Sequence, residues 1–186
     1  QRGAAAAFMP NKFVFPGGAV DHGDTSVPLA RPLNARCEAL LSAYPQQTTL
    51  PGLTAAALAV TAVRELWEET GLTLAQPGDW PDAPGGDWEK LAARGLLPDA
   101  AGLQFVFRAI TPPGRPRRFD ARFFLADASA LTGDTDDFSD AQDELSHLQW
   151  IPLRRVRSFD LPFITEVVLA EIGHHLEGRS RDEGVP

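Results

Sequence analysis

Cysteine is nearly missing from this 186-residue chain: Cys37 stands alone. One thiol excludes an intrachain disulfide and suits a reducing cytoplasm. Long apolar runs are missing too. No stretch approaches the roughly 18 residues that a membrane-spanning helix needs, and no signal-peptide pattern is visible. An initiator Met is absent, the chain opening at Gln1, so a segment is expected upstream. There is no basic surplus either, the formal net charge being -8. That argues against a general binder of nucleic-acid polymers, which carries a basic footprint. Small phosphorylated ligands stay open, because a metal ion or a local arginine cluster can supply the positive charge. What remains is ordinary for a globular protein: 44% hydrophobic and 23% charged residues, in a length that predicts one domain with a proper core.

Taken in order, the chain offers a short apolar run, Phe13 to Phe15, closed by Pro16, Gly17 and Gly18. This reads as a strand followed by a turn in which glycine lets backbone approach a ligand. A proline-punctuated stretch follows to Gly52, with a short helix expected over Arg36–Tyr44. Thr54 is placed as the N-cap of a long helix running to Thr70. Gln76–Gly86 is rich in Pro, Gly and Asp and reads as loop, and Trp88–Gly95 has a short helical pattern. Leu103–Ile110 and Phe119–Ala126 read as two strands of a hairpin with a long connection. Asp127–Glu144 holds seven acids and no Lys or Arg, and reads as a solvated loop. Leu145–Ile151 is expected as a further short strand, and Leu161–Leu176 as a closing amphipathic helix with Pro162 in its first turn. The last ten residues look like a polar tail. Strands and helices in this order predict a mixed sheet with helices packed on it.

The most informative segment is Arg64–Leu72, reading RELWEETGL. On a helix Glu65, Glu68 and Glu69 share one face, while Val60, Val63, Leu66 and Trp67 fall roughly opposite and would face a core. Arg64 reaches Glu68 at i+4, but one guanidinium does not balance three carboxylates. Hard divalent cations, which take oxygen ligands and bind substrate phosphates, would. The competing reading is a solvated acidic face with an intrahelical ion pair. Gly71 then stops the helix as a C′ glycine does.

These residues resemble the Nudix hydrolase family. Its signature is a glycine, five residues, a glutamate, seven residues, then Arg-Glu-aliphatic-x-Glu-Glu-x-Gly-aliphatic. Arg64, Glu65, Leu66, Glu68, Glu69, Gly71 and Leu72 satisfy the second half, and FPGG supplies the first. Six residues after Gly18 stands Asp24, where the family usually has Glu. Asp24 and Arg64 lie 40 positions apart where the signature allows eight, so the motif carries an insertion of about 32 residues, read as a surface excursion over about 25–53. With FMPNKFVFPGGAVD and TPPGRPRRFDARFF, the chain looks like the branch that includes coenzyme A diphosphatases, which also carries an insertion there. The resemblance implies an α/β/α sandwich with a mixed β-sheet, whose first strand lies outside the given sequence.

It also implies an activity: Mg²⁺- or Mn²⁺-dependent hydrolysis of a nucleoside diphosphate linked to another moiety, by water and with no covalent intermediate. In the favoured branch the substrate is coenzyme A or an acyl derivative. Alternatives are an ADP-ribose, dinucleotide or nucleoside triphosphate pyrophosphatase, a Nudix-like nucleotide sensor without catalysis, and a general interaction domain. Glu68 and Glu69 are the expected metal ligands, Glu65 a ligand or water activator, and the Gly18 carbonyl a backbone ligand. Arg64 orients a glutamate. Glu144, before LSHLQWIPL, is the candidate for a further ligand or general base. Asp24 is expected to support the glycine loop. Gly17 and the arginines Arg117, Arg118 and Arg122 are placed with substrate, guanidinium being suited to phosphate; Arg115 reads as a loop-tip residue. Phe119 or Trp88 is a candidate base platform, His174 and His175 are not expected to bind Mg²⁺, and Cys37 reads as a buried small apolar residue. Homodimers are common in the family, and the apolar face of Leu161–Leu176 would serve one.

Overall fold

The computed structural model describes residues 1, 12–43, 53–82, 85–142, 145 and 147–182, with backbone alone for 177–182. The chain groups into two compact units: residues 16–104 with 126–149, and residues 1–15 with 105–125 and 150–186.

The first unit is built on helix α2, Ala55–Thr70. Its start is chemical: the Thr54 side chain accepts from the Ala57 N–H at 3.1 Å, satisfying an otherwise orphaned donor. Its end is conformational. Gly71 sits at φ 75°, and its N–H returns to the Trp67 carbonyl at 2.8 Å. Leu58, Ala59, Val60, Val63 and Trp67 are buried, as the apolar spacing predicts. Leu66 is only half-buried, and Glu65 and Glu69 are buried as well. A helix enclosed nearly all round is an interior helix, so its acidic face is not the solvated surface of the competing reading.

The insertion does not behave as an excursion over its described first half. Helix α1, Ala35–Ala43, buries Cys37 and Leu41, and Leu33 just before it is buried too. The Asn34 side-chain oxygen accepts from the Cys37 N–H at 2.9 Å, while its amide donates to the Leu103 carbonyl at 3.2 Å. Strands β1, Ala75–Pro77, and β2, Leu96–Pro98, pair antiparallel with Ala75 opposite Pro98 and Pro77 opposite Leu96. A parallel bridge joins Arg31 to Asp99 at the end of β2, supported by Ala100 N–H to Arg31 O at 3.0 Å and by the Arg31–Asp99 ion pair. Burial works against the Asp99 charge, but Arg31, the Ala101 N–H and Gln76 hold its carboxyl below the usual range. Helix α3, Glu89–Ala93, follows a short 3₁₀ turn. The acidic segment after residue 126 is tied down as well: Thr132 N–H bonds to Thr73 O at 2.9 Å, Gln142 N–H to Glu68 O at 2.7 Å, and Arg94 to Asp140 at 2.6 Å.

In the second unit β3, Gln104–Ile110, pairs with β4, Asp120–Leu125, as the hairpin expected. Phe105 with Phe124 and Phe107 with Phe123 place ring centroids 6.1 and 6.3 Å apart on it. Helix α4, Phe163–Asp182, begins after Pro162, whose carbonyl accepts from the Thr165 N–H at 2.9 Å. Thr165, Val168 and Ile172 form its buried stripe. No helix among the described residues is long and apolar enough to cross a membrane.

Two expected strands are not formed. Phe13–Phe15 forms no ladder; the Phe13 N–H instead bonds to the Asp160 carbonyl at 3.0 Å, and its ring meets Phe159 edge-on at 4.8 Å. Within 145–151 the described residues hold a single bridge position, Leu145. Conversely, β1 occupies the start of the stretch read as loop. The described sheets are two antiparallel pairs, with one isolated parallel bridge as the mixed element.

If the insertion builds the core, Leu41→Ala should cost about 2–4 kcal/mol in urea denaturation, as for other buried leucines. A surface excursion would leave stability within about 0.5 kcal/mol.

Candidate active site

Arg64 is the hub of the first unit. Its side chain is 5% exposed, and all five N–H donors of the guanidinium are directed at acceptors. Nε and one terminal nitrogen grip Asp24 as a fork, at 2.9 Å to Oδ1 and 3.0 Å to Oδ2. The same terminal nitrogen donates to the Ala19 carbonyl at 2.8 Å. The other one donates to Glu65 Oε1 at 2.9 Å and to the two Glu68 oxygens at 3.2 and 3.1 Å. Burial works against the arginine's charge, but Asp24 first, then Glu65 and Glu68, raise its pKa above the usual arginine range.

Asp24 lies in a 3₁₀ turn, His22–Thr25, and is 1% exposed. Besides Arg64 it accepts from the Asp21 N–H at 3.0 Å, and the Thr61 hydroxyl lies 2.8 Å from its Oδ2. Its lone pairs are therefore spent within the protein, which suits support of the glycine turn.

The turn lies directly against α2. The Gly17 N–H donates to Glu69 Oε2 at 2.8 Å. Gly18 faces Glu65 so closely that a Cβ there would fall 2.6 Å from the Glu65 carboxyl carbon. Only glycine leaves this space, so the close approach read from Gly17-Gly18 is real, and the thing approached is the helix's own acids. Glu69 is 2% exposed and Glu65 8%. Burial pushes the Glu68 carboxyl up to about 7; Arg64 pulls it down, and the charge and hydrogen bond of Asp87 push it up again.

The chemistry of this donor set fits a hard divalent cation. Buried carboxylates outnumber the single guanidinium among them, every donor is oxygen, and the Gly18 cradle is kept open beside Glu65. Among the described residues, no three His, Cys, Asp or Glu side chains are grouped as a ready-made metal shell; Arg64 holds Glu65 and Glu68 instead.

The structure thus brings together Gly17, Gly18, Asp24, Arg64, Glu65, Glu68 and Glu69. Glu144 lies outside the described residues. Arg117, Arg118 and Arg122 belong to the other compact unit: Arg117 and Arg118 are exposed, with Arg118 Nε donating to the Thr111 carbonyl at 3.2 Å, whereas the Arg122 side chain on β4 is 6% exposed. Trp88 is 6% exposed and packs on Trp80, ring centroids 5.9 Å apart, so it is core and not a base platform; Phe119 is 45% exposed. Cys37 is buried, as expected. Sequence reasoning missed Thr61, the Ala19 carbonyl and Asp87. The first two are invisible to any residue pattern, and Asp87 was hidden in a Gly- and Asp-rich stretch.

No family model matches the chain. It is 36% identical to acyl-coenzyme A diphosphatase NUDT19 of Gallus gallus, over 67% of this chain and 46% of that protein. It is 27% identical to putative nudix hydrolase 7 of Caenorhabditis elegans, over 81% of this chain and 44% of that protein. The chain therefore spans less than half the length of these curated relatives. Among solved structures it is similar to a NUDIX hydrolase from Alicyclobacillus acidocaldarius, with a TM-score of 0.55 and 29% identity, covering 91% of this chain and 79% of that one. Both sequence likenesses and the structural one point where the glycine turn and its acidic helix already pointed: the chain belongs to the Nudix hydrolase family, has its α/β fold, and resembles the coenzyme A diphosphatases within it.

Proposed function

We propose that the chain is a single Nudix domain, with an insertion at about 25–53, that hydrolyses the diphosphate linkage of a nucleoside diphosphate derivative. Coenzyme A or an acyl-coenzyme A is the favoured substrate. The observation that carries the chemistry is the seating of the Gly17-Gly18 turn on Glu69 and Glu65 of α2. The likeness to an acyl-coenzyme A diphosphatase supports the choice of substrate.

Glu65, Glu68, Glu69 and the Gly18 carbonyl would hold Mg²⁺ or Mn²⁺, with Glu144 a further candidate ligand or general base. The cation supplies charge neutralisation of the diphosphate and Lewis-acid activation of water. The chain's own residues do the positioning. Gly17 fixes one oxygen of Glu69, Arg64 fixes Glu65 and Glu68, and Asp24 fixes Arg64, so each carboxylate is held through a partner that is itself held. Water attacks one phosphorus, the bridging P–O bond breaks, and two phosphate-ended products leave.

A substrate panel with Mg²⁺ or Mn²⁺, resolved by chromatography, should show coenzyme A or an acyl derivative cleaved at the diphosphate. Faster cleavage of ADP-ribose or a dinucleotide would move the substrate and keep the chemistry. Binding without any product would leave a nucleotide sensor. Glu69→Gln should lower kcat/KM by about 100-fold or more. It should also remove the rise in melting temperature that Mg²⁺ gives the wild type; an unchanged rise would sink the metal assignment. In Gly18→Ala the new methyl group meets the movable end of a side chain, so the fold should persist while Glu65 is displaced. The concentration of Mn²⁺ for half-maximal activity should then rise on the order of tenfold. Wild-type metal dependence in that variant would show that the cradle is not used.

A further inference from the structure

The acidic balance of the whole chain hides an uneven distribution. Residues 1–15, 105–125 and 150–186, which form one compact unit, hold 12 Lys and Arg against 7 Asp and Glu. Two of those acids are already engaged, Asp120 by Arg108 and Arg122, and Asp160 by Lys12. Much of the free positive charge lies in one short stretch, 150–163. There Arg154, Arg155 and Arg157 are all exposed, and none of their guanidiniums has an acceptor among the described residues.

Local structure explains how they are presented. Leu153–Ser158 is a 3₁₀ turn, in which side chains three apart lie in line. Arg154 and Arg157 therefore form one ridge, and Leu153 and Val156 a second. The turn is closed by Phe159, whose N–H bonds to the Val156 carbonyl at 3.1 Å and whose ring packs on Phe13. Val156 and Phe159 are half-buried, so they anchor the turn from within while the arginines face solvent.

Bulky apolar side chains stand among those charges. Trp150 is 52% exposed, Leu153 49% and Phe163 79%, the last being the largest exposure of any bulky apolar residue described. One exposed leucine is ordinary. Three bulky apolar groups interleaved with three unpaired arginines make an interaction surface.

The partner must satisfy both kinds of group. A second copy of this chain would bring the same arginines against these, because a two-fold contact sets a surface against itself. A nucleic-acid backbone would satisfy the guanidiniums and leave Leu153 and Phe163 in water. An anionic bilayer meets both needs: headgroup phosphates accept from arginine, and Trp, Leu and Phe enter the boundary beneath them. We propose that residues 150–163 are a docking surface for an anionic phospholipid membrane, which the protein lies on and does not span.

The test sediments the full chain with vesicles of phosphatidylcholine, alone or with about one-third phosphatidylglycerol. The chain should bind the anionic vesicles, leave them as salt is raised, and ignore phosphatidylcholine alone. Arg154→Gln should weaken binding about fivefold, and the triple change with Arg155→Gln and Arg157→Gln on the order of 100-fold. Leu153→Ser combined with Phe163→Ser should weaken it about tenfold at an unchanged melting temperature, both side chains being exposed. Brominated phosphatidylglycerol should quench tryptophan fluorescence, and Trp150→Phe should remove most of that quenching, since Trp67 and Trp88 are buried. A chain left in the supernatant, or a triple variant that binds like the wild type, overturns the surface. Equal affinity for soluble poly-glutamate without quenching overturns it too, by assigning the arginines to an acidic protein. None of these readouts involves turnover, so this surface and the diphosphatase reading can fail separately.

Discussion

Burying a guanidinium is the constraint from which the first unit's architecture follows. Taking a charge out of water is repaid only when an opposite charge and a full set of hydrogen bonds await it. Arg64 obtains both, but from three places in the chain: Asp24 beyond the glycine turn, Ala19 within it, and Glu65 and Glu68 on its own helix. The turn, the 3₁₀ segment and α2 cannot separate without stranding that charge. Asp24, a methylene shorter than the usual glutamate, still reaches because its 3₁₀ turn packs on α2. An ion pair, and not chain length, joins the two halves of the motif. This is why some 32 residues can stand between them.

Once Arg64 is fixed, the acids around it are fixed too, and their excess charge becomes a property of the site. Glu65 and Glu69 are buried beside the glycine turn, where a Cβ on Gly18 would run into the Glu65 carboxyl, and Glu68 is pushed up to about 7 by its burial and by Asp87. Carboxylates held this way gain from any hard cation that arrives. The hairpin shows the mirror image, with Arg108 and Arg122 sharing Asp120. Each imbalance is held in a structured place instead of being dispersed over solvated side chains, and that is what separates a site from a charged surface.

What could be read from the sequence was whatever is encoded locally. Thr54 and Gly71 bracket α2 because a cap and a left-handed turn are each the work of one residue. The hairpin was legible from two aromatic-rich apolar runs on either side of a Pro-Pro-Gly connection. Failures came where hydrogen bonds are made at a distance. Phe13–Phe15 has strand composition, yet its described backbone bond goes to Asp160 and not to a neighbouring strand. Strands β1 and β2 are three residues each with a proline at one end, too short for any period to emerge. The helix pattern put the glutamates on one face correctly, but periodicity cannot say that the opposing surface is a buried glycine turn and not water.

The insertion shows most clearly how burial redistributes roles. Read as a loop beside a catalytic helix, it is a natural place to look for substrate selection. Yet Leu33, Cys37 and Leu41 recur at four-residue spacing, all are buried, and Arg31 is clamped to Asp99. Side chains spent on the core cannot also grip a ligand. The described part of the insertion is thus better suited to bracing α2, against which α1 packs, than to recognising what α2 acts on. Of the residues first considered for recognition, Trp88 is likewise spent on packing, and Arg118 on the Thr111 carbonyl. Arg122 differs from all of these in one respect: its side chain is 6% exposed, and one terminal nitrogen is enclosed without a hydrogen-bond partner among the described residues.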